Sequence, residues 1–109
     1  MSIDEMRLDC PFLGESVSLT NERLEHIREH HPDLLPANRQ LIDETLRTPD
    51  IVRQSKRMSN GYLFVKWYPE TANGKFCVVV VLKEPLRSWV VTSYLARKVP
   101  QGEIVWKTS

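Results

Sequence analysis

All three histidines of the chain lie within the stretch "HIREHH", at positions 26, 30 and 31. Histidine titrates nearest to neutral pH, so an imidazole can accept a proton from a nucleophile while a second group protonates the leaving group. In RNA the nucleophile is the 2′-hydroxyl of the substrate itself. A protein therefore needs only a base, a cation for the phosphate and a proton donor. The cluster allows metal-independent cleavage of RNA.

Helical geometry divides the three histidines into two groups. At about 100° per residue, His31 falls in line with Ile27, whereas His26 and His30 share another face with Glu22. One interpretation of His31 is a histidine at the edge of the core with no chemical role. Glu22, His26 and His30 have a spacing that zinc sites use. Because the sequence has no second cluster of ligands and no His-Glu-x-x-His motif, we expect no metal and no cofactor.

Composition indicates a single small domain. The chain has 109 residues, 41% of them apolar, which is enough for one modest core. With 15 Lys and Arg against 14 Asp and Glu, any nucleic-acid binding has to come from a local patch. Two cysteines suit a reducing compartment, the N-terminus does not resemble a secretion signal, and "FCVVVVL" is far shorter than the ~20 residues of a membrane span. We expect a cytoplasmic protein.

The first half of the chain has a helical pattern. Thr20 is a suitable N-cap for a first helix, which should end at His30 or His31 because Pro32 disfavours helical geometry in the preceding residue. A second helix should begin at Pro36 and end before Thr48-Pro49. Its apolar stripe consists of Leu41, Ile42, Thr45 and Leu46.

The second half predicts strands. Short β-prone segments follow one another between turn residues: "IVRQS", "YLFVKWY", "KFCVVVVL", "SWVVTSYL" and "EIVWK". The short connections favour an antiparallel meander. The predicted fold class is α+β, with two N-terminal helices packed on one face of a four- to five-stranded antiparallel sheet. Residues 19–109 should form this single domain, and residues 1–18 an N-terminal extension or edge strand.

Alternation along the strands suggests a binding surface. In "YLFVKWY", Lys66 and Tyr68 share one face, and in "SWVVTSYL", Thr92 and Tyr94 share one face. If these two polar sets lie on the same side, the sheet presents rings for base stacking and a lysine for phosphate. That would be an RNA-binding surface.

Several short motifs occur in an order that resembles a known group of nucleases. They are "HI" and "HP" in the first helix, "PD" before the first strand of the meander, the aromatic-basic strand, "TSY", and a closing Gly-Glu-x-x-Trp. The pattern covers nearly all of the chain after Leu19. It resembles the phage- and mobile-element-associated nuclease domains grouped with barnase, EndoU, colicin D and RelE. The resemblance implies an α+β domain that acts on RNA as a metal-independent endoribonuclease. If the enzyme is a toxin, a cognate antitoxin or another protein partner should cover its cleft.

The resemblance also implies roles for individual residues. It makes His26 the general base and His31 either a second catalytic group or a structural cap. It offers Arg53 or Lys66 to neutralise the phosphate, and Thr92 and Tyr94 for substrate hydrogen bonding or proton donation. Because the chain is nearly neutral, unlike strongly basic ribonuclease toxins, a non-catalytic module that binds nucleic acid or protein on the same fold remains the alternative. The predicted catalytic residues are His26, His31, Lys66 and Tyr94, and the predicted substrate-binding residues are Arg53, Tyr68 and Thr92.

Overall fold

A mixed β-sheet forms most of the molecule in the computed structural model, which describes residues 5–108. Within this range there are seven strands and two short helices. In chain order they are β1 (Glu5–Cys10), β2 (Glu15–Thr20), α1 (Asn21–His30), α2 (Gln40–Arg47), β3 (Ile51–Gln54), β4 (Gly61–Tyr68), β5 (Lys75–Lys83), β6 (Ser88–Ala96) and β7 (Glu103–Lys107).

The predicted fold class is wrong. The sheet order is β1-β2-β6-β5-β4-β3-β7, so the described chain has seven strands where four or five were expected. The sheet is mixed, because β2 runs parallel to β6 while the other neighbouring pairs are antiparallel. The expected meander is present as β3 to β6. The error has two sources: a strand hairpin precedes the helices, and β7 returns to the far side of the meander beside β3.

The N-terminal hairpin brings residues of the predicted extension into the main core. β1 and β2 pair in continuous register, and the turn between them is closed by Gly14 N donating to the carbonyl of Cys10 at 3.1 Å. Gly14 has a φ of 69°, which glycine adopts without steric cost. Val17 and Leu19 are buried. The boundary expected after residue 18 falls inside β2, and residues 1–4 and 109 lie outside the described residues.

The first helix begins and ends where the local sequence signals predicted. The Oγ1 of Thr20 accepts a hydrogen bond from Arg23 N at 3.1 Å, and α1 ends at His30. Both expectations are confirmed. The second helix begins at Gln40 instead of Pro36, because the preceding residues form turns anchored by the buried side chains of Leu34 and Leu35. Its predicted stripe is buried as expected. Neither helix is long and apolar enough to cross a membrane.

Both faces of the sheet carry buried side chains. On the helix face, Phe64, Val79 and Val90 pack in the same cluster as Ile27 of α1. On the opposite face a smaller cluster contains Leu63, Val65, Val78 and Val80. Residues 97–102, which connect β6 to β7, pass along this second face, where Val99 packs on the smaller cluster. We call these residues the crossover segment and this side the crossover face.

A β-bulge at Val91 changes which residues share a face. Val81 pairs with Val90 and Val80 with Thr92, so Val91 is an extra residue in β6. A bulge of this kind reverses the alternation beyond it. Val90 therefore lies on the helix face, while Tyr94, opposite Val78, lies on the crossover face.

Candidate functional site

The predicted site residues do not converge on one place. Cross-strand partners share a face, and Lys66 pairs with Cys77 of the helix-face core, whereas Tyr94 pairs with Val78 of the other cluster. The predicted common surface of Lys66, Tyr68, Thr92 and Tyr94 is therefore wrong, and the bulge at Val91 is the reason. Lys66 and Tyr68 lie on the helix face, Arg53, Thr92 and Tyr94 on the crossover face, and His26 and His31 on and directly after α1.

His26 lies on the exposed side of α1. Its ring stacks on that of His30 with the ring centroids 4.2 Å apart, and its carbonyl accepts a hydrogen bond from His30 Nδ1 at 2.9 Å. A base in this position could reach only a substrate bound along the outside of the helix. Within residues 5–108, no group of three His, Cys, Asp or Glu side chains is arranged to hold a metal ion.

His31 is the C-cap of α1 and contacts the sheet. Its backbone N–H donates to the carbonyl of Ile27 at 2.7 Å, and its carbonyl accepts hydrogen bonds from Leu34 N and Leu35 N. Its imidazole lies against the ring of Tyr94, with the ring centroids 5.8 Å apart and the planes tilted by 36°. The backbone of His31 fills the cap role that the sequence suggested. The imidazole takes no part in the cap and is available to a substrate.

Tyr94 is half-buried, and burial raises the pKa of its phenol above the ordinary 10.0. Its hydroxyl forms no hydrogen bond with the rest of the described chain. Thr92 precedes it by two residues on the same face, so the two side chains stand roughly 7 Å apart along the strand. We call His31, Thr92 and Tyr94 the β6 cluster.

Arg53 shares the crossover face with Thr92 and Tyr94 but holds the crossover segment. Its Nη1 donates to the carbonyls of Pro100 at 3.1 Å and Gly102 at 3.4 Å, and its Nε is buried without a partner. One row of cross-strand partners runs from Arg53 on β3 to Thr92 on β6. The row crosses three strand spacings, so its two ends lie about 14 Å apart. That distance is too great for both side chains to contact one phosphate from their own strands.

Two cations nearer to the β6 cluster were missed from the sequence. Arg97 and Lys98 directly follow β6, are exposed, and form no ion pair with another described residue. The signal was present as the pair "RK" three residues after "TSY". The pair could be connected with a candidate site only through the contact between Tyr94 and His31, which the sequence does not show.

Lys66 and Tyr68 contact the second helix and the segment that follows it. Lys66 Nζ donates to the carbonyl of Thr48 at 2.8 Å. The hydroxyl of Tyr68 donates to Glu44 Oε1 of α2 at 3.0 Å, and burial is the largest cause that raises the Tyr68 pKa. Tyr68 therefore fixes α2 on the sheet, while Lys66 has further N–H groups that face an open cleft.

No family model matches the chain, and no curated protein or solved structure matches it either. The resemblance to the barnase-like nuclease domains stays a prediction. A function has to be inferred from the chemistry of the chain's own residues.

Proposed function

We propose that the chain is a metal-independent endoribonuclease with His31 and Tyr94 as its catalytic pair. The contact between the two rings, 5.8 Å between centroids, is the observation that carries the proposal. His31 accepts the proton of the ribose 2′-hydroxyl as its oxygen attacks the adjacent phosphorus. The bond from phosphorus to the 5′-oxygen breaks, and that oxygen takes the proton of the Tyr94 hydroxyl. The products are a 2′,3′-cyclic phosphate and a free 5′-hydroxyl.

The accessibility of the Tyr94 hydroxyl supports its role as the acid. A phenol is protonated at neutral pH, and burial, which raises the pKa of Tyr94, makes it a weaker proton donor than an exposed tyrosine. Its hydroxyl has no partner among the described residues, so it is free to meet a substrate oxygen. Thr92 can hydrogen-bond the substrate on the same face, and Arg97 and Lys98 can neutralise the charge that develops on the phosphate.

The proposal differs from the resemblance in the residue that acts as base. The resemblance implies His26, but the exposed His26 ring stacks on His30, whereas the His31 ring contacts the sheet. The two assignments give opposite results for single substitutions, so one experiment separates them.

The test is incubation of end-labelled RNA in EDTA with the wild type, His31→Ala, Tyr94→Phe and His26→Ala, followed by identification of the 3′ termini. We expect cyclic phosphate ends from the wild type, loss of cutting in His31→Ala, and a decrease of about 100-fold in Tyr94→Phe. His26→Ala should cut within about twofold of the wild type, because general acid-base loss costs far more than that. Thermal melts control for folding, since the cap of α1 uses the backbone of residue 31. Full cutting by His31→Ala would remove the proposal.

A second candidate is a module that binds RNA or a protein without catalysis. It is favoured by the contacts of Arg53, a cation that the resemblance offers for neutralising the phosphate, since Arg53 already donates to two backbone carbonyls of the crossover segment. This module would bind RNA in a salt-sensitive way, or co-purify with a protein such as a cognate antitoxin, and release no products. Intact RNA in every tube, with retention of labelled RNA at low salt, would favour it.

Buried free thiols at Cys10 and Cys77 are consistent with action in the cytoplasm.

A further inference from the structure

An open cleft of about 580 Å³ lies on the helix face, away from the β6 cluster. It is bounded by the turn of the N-terminal hairpin, the junction between α2 and β3, and β7. Its volume is within the range of about 300–1,000 Å³ that small-molecule sites occupy. None of His31, Thr92 and Tyr94 lines it. The lining residues are Pro11, Phe12, Arg47, Thr48, Pro49, Asp50, Lys66, Trp106 and Thr108.

The polar groups of the cleft are held in place by the backbone. Asp50 N donates to Val65 O at 2.8 Å, Asp50 O accepts from Thr108 N at 2.9 Å, and Asp50 Oδ2 accepts from Trp67 N at 2.7 Å. The other carboxylate oxygen keeps its acceptor capacity. A group fixed this way loses little conformational entropy when it binds a ligand.

Lys66 is the cation of the cleft that has no carboxylate partner. One of its three N–H groups donates to Thr48 O, which aims the ammonium and leaves two donors. Arg47 also lines the cleft, but it is paired with Asp43 at 2.6 Å. An anionic group of a ligand would therefore be bound by Lys66.

Two aromatic side chains supply flat apolar surface. Trp106 stands opposite Val52 on the helix face because Val105 is an extra residue in β7, and the Trp106 side chain is 42% exposed. Phe12 is fixed by edge contact with Phe64, the ring centroids being 5.9 Å apart. An exposed indole beside a fixed ring is suited to stacking on a planar ligand.

We propose that this cleft binds a nucleoside 5′-monophosphate, with its base against Trp106 and its phosphate on Lys66. Asp50 would accept a hydrogen bond from a ring N–H or amino group. A divalent cation does not fit, because Asp50 is the only carboxylate among the lining residues. The assignment does not depend on RNA cleavage, since none of the proposed catalytic residues lines the cleft.

The test is titration of the ¹⁵N-labelled full chain with GMP, AMP and UMP, and separately with inorganic phosphate and with guanosine. We expect at least one nucleotide to shift the Trp106 indole N–H and the Thr108 amide. It should bind at least tenfold more tightly than phosphate or guanosine alone, since both halves contribute. Lys66→Met should weaken binding at least tenfold. Lys56→Met, which removes an exposed lysine that does not line the cleft, is the matched control.

Trp106→Ala provides a second variant, because Lys66→Met also removes the hydrogen bond to Thr48. This change should weaken nucleotide binding at least tenfold, measured at a temperature at which a melt shows the variant to be folded, because Trp106 is only 42% exposed and its removal also costs stability. The proposal is overturned if no nucleotide binds at millimolar concentration, if Lys56→Met weakens binding as much as Lys66→Met, or if the shifts centre on Tyr94. If the chain does not cut RNA at all, the proposal of a nucleotide site in the cleft still stands, because the two sites share no residue.

Discussion

Arg53 and Lys66 each place a positive charge on a strand, and each uses it to hold another segment of the chain. Arg53 donates to two carbonyls of the crossover segment, and Lys66 donates to the carbonyl that ends α2. The resemblance offered either of them to neutralise the phosphate. The sequence could not show their acceptors, because these are backbone atoms that only the folded chain brings close. Lys66 keeps donors for a ligand, whereas Arg53 has a buried Nε and two carbonyls to hold.

Tyrosine burial predicts lower stability at alkaline pH. Burial raises the pKa values of Tyr68 and Tyr94 above 10.0, and of Cys10 and Cys77 above 9.0. Below these ordinary values both states are protonated. Above them the unfolded chain loses protons first, so the free energy of unfolding falls as pH rises toward the folded-state values.

Urea melts between about pH 8 and pH 11 measure this loss, which is at most about 1.4 kcal/mol per pH unit for each group. We expect Tyr68→Phe to have a shallower decline than the wild type, because one of the groups with a raised pKa is gone. It should also lose about 0.5–1.5 kcal/mol at neutral pH with the hydrogen bond to Glu44. An unchanged slope in Tyr68→Phe would contradict the assignment.

At the scale of elements, the attachment of β7 depends on close packing at Gly102. A Cβ at this position would lie 2.6 Å from the backbone oxygen of Gln54 and 3.2 Å from the Cβ of Arg53. Because a backbone atom cannot move aside cheaply, Gly102→Ala should displace the end of the crossover segment. We expect a loss of about 1–3 kcal/mol and faster amide exchange in β7.

Gly14→Ala is the comparison for that variant. Gly14 also has a positive φ, 69°, but a Cβ added there would have no other atom within 4 Å, so only the backbone cost of about 1 kcal/mol remains. Chemical denaturation measures both variants, and hydrogen exchange followed by mass spectrometry locates the change. Unaltered exchange in β7 of Gly102→Ala would show that this contact does not hold the strand.

The elements that could be predicted are those whose signals are local. Thr20 and Pro32 bracket α1 through caps and sterics that involve only neighbouring residues, and the β-prone runs located β3 to β7. The faces beyond Val91 could not be predicted, because the bulge adds a residue within a β-branched run that has no glycine to mark it. The same bulge separates Tyr94 from Lys66. The contact between Tyr94 and His31 joins residues that are far apart in the sequence, so the candidate pair emerged only from the structure.

At the scale of the whole molecule, the sheet is joined by contacts between distant parts of the sequence. β2 pairs with β6 only at Val17–Ser88 and Ser18–Trp89, and α1 packs against β6 as well as β2. β7 crosses to pair with β3. No periodicity along the chain encodes these pairings, which is why a regular antiparallel meander with two leading helices was expected instead.

The hairpin of β1 and β2 should nevertheless unfold together with the rest of the chain, because it contributes to the same core. Leu19 of β2 is 1% exposed within the helix-face cluster, while Leu86, between β5 and β6, is 99% exposed. We expect Leu19→Ala to lower the free energy of unfolding by about 2–5 kcal/mol through lost burial and a cavity. The same substitution at Leu86 should change it by less than about 0.5 kcal/mol.

Two probes decide whether the hairpin is part of one cooperative unit. In a chain that also carries Trp67→Phe and Trp106→Phe, tryptophan fluorescence reports on Trp89 alone, which stands opposite Ser18 of β2, and circular dichroism reports on the whole sheet. In urea the two transitions should coincide in this background, and addition of Leu19→Ala should shift them together to lower denaturant. An early fluorescence change with the sheet signal intact would instead show that the hairpin detaches alone, and that β3 to β7 hold their own core without it.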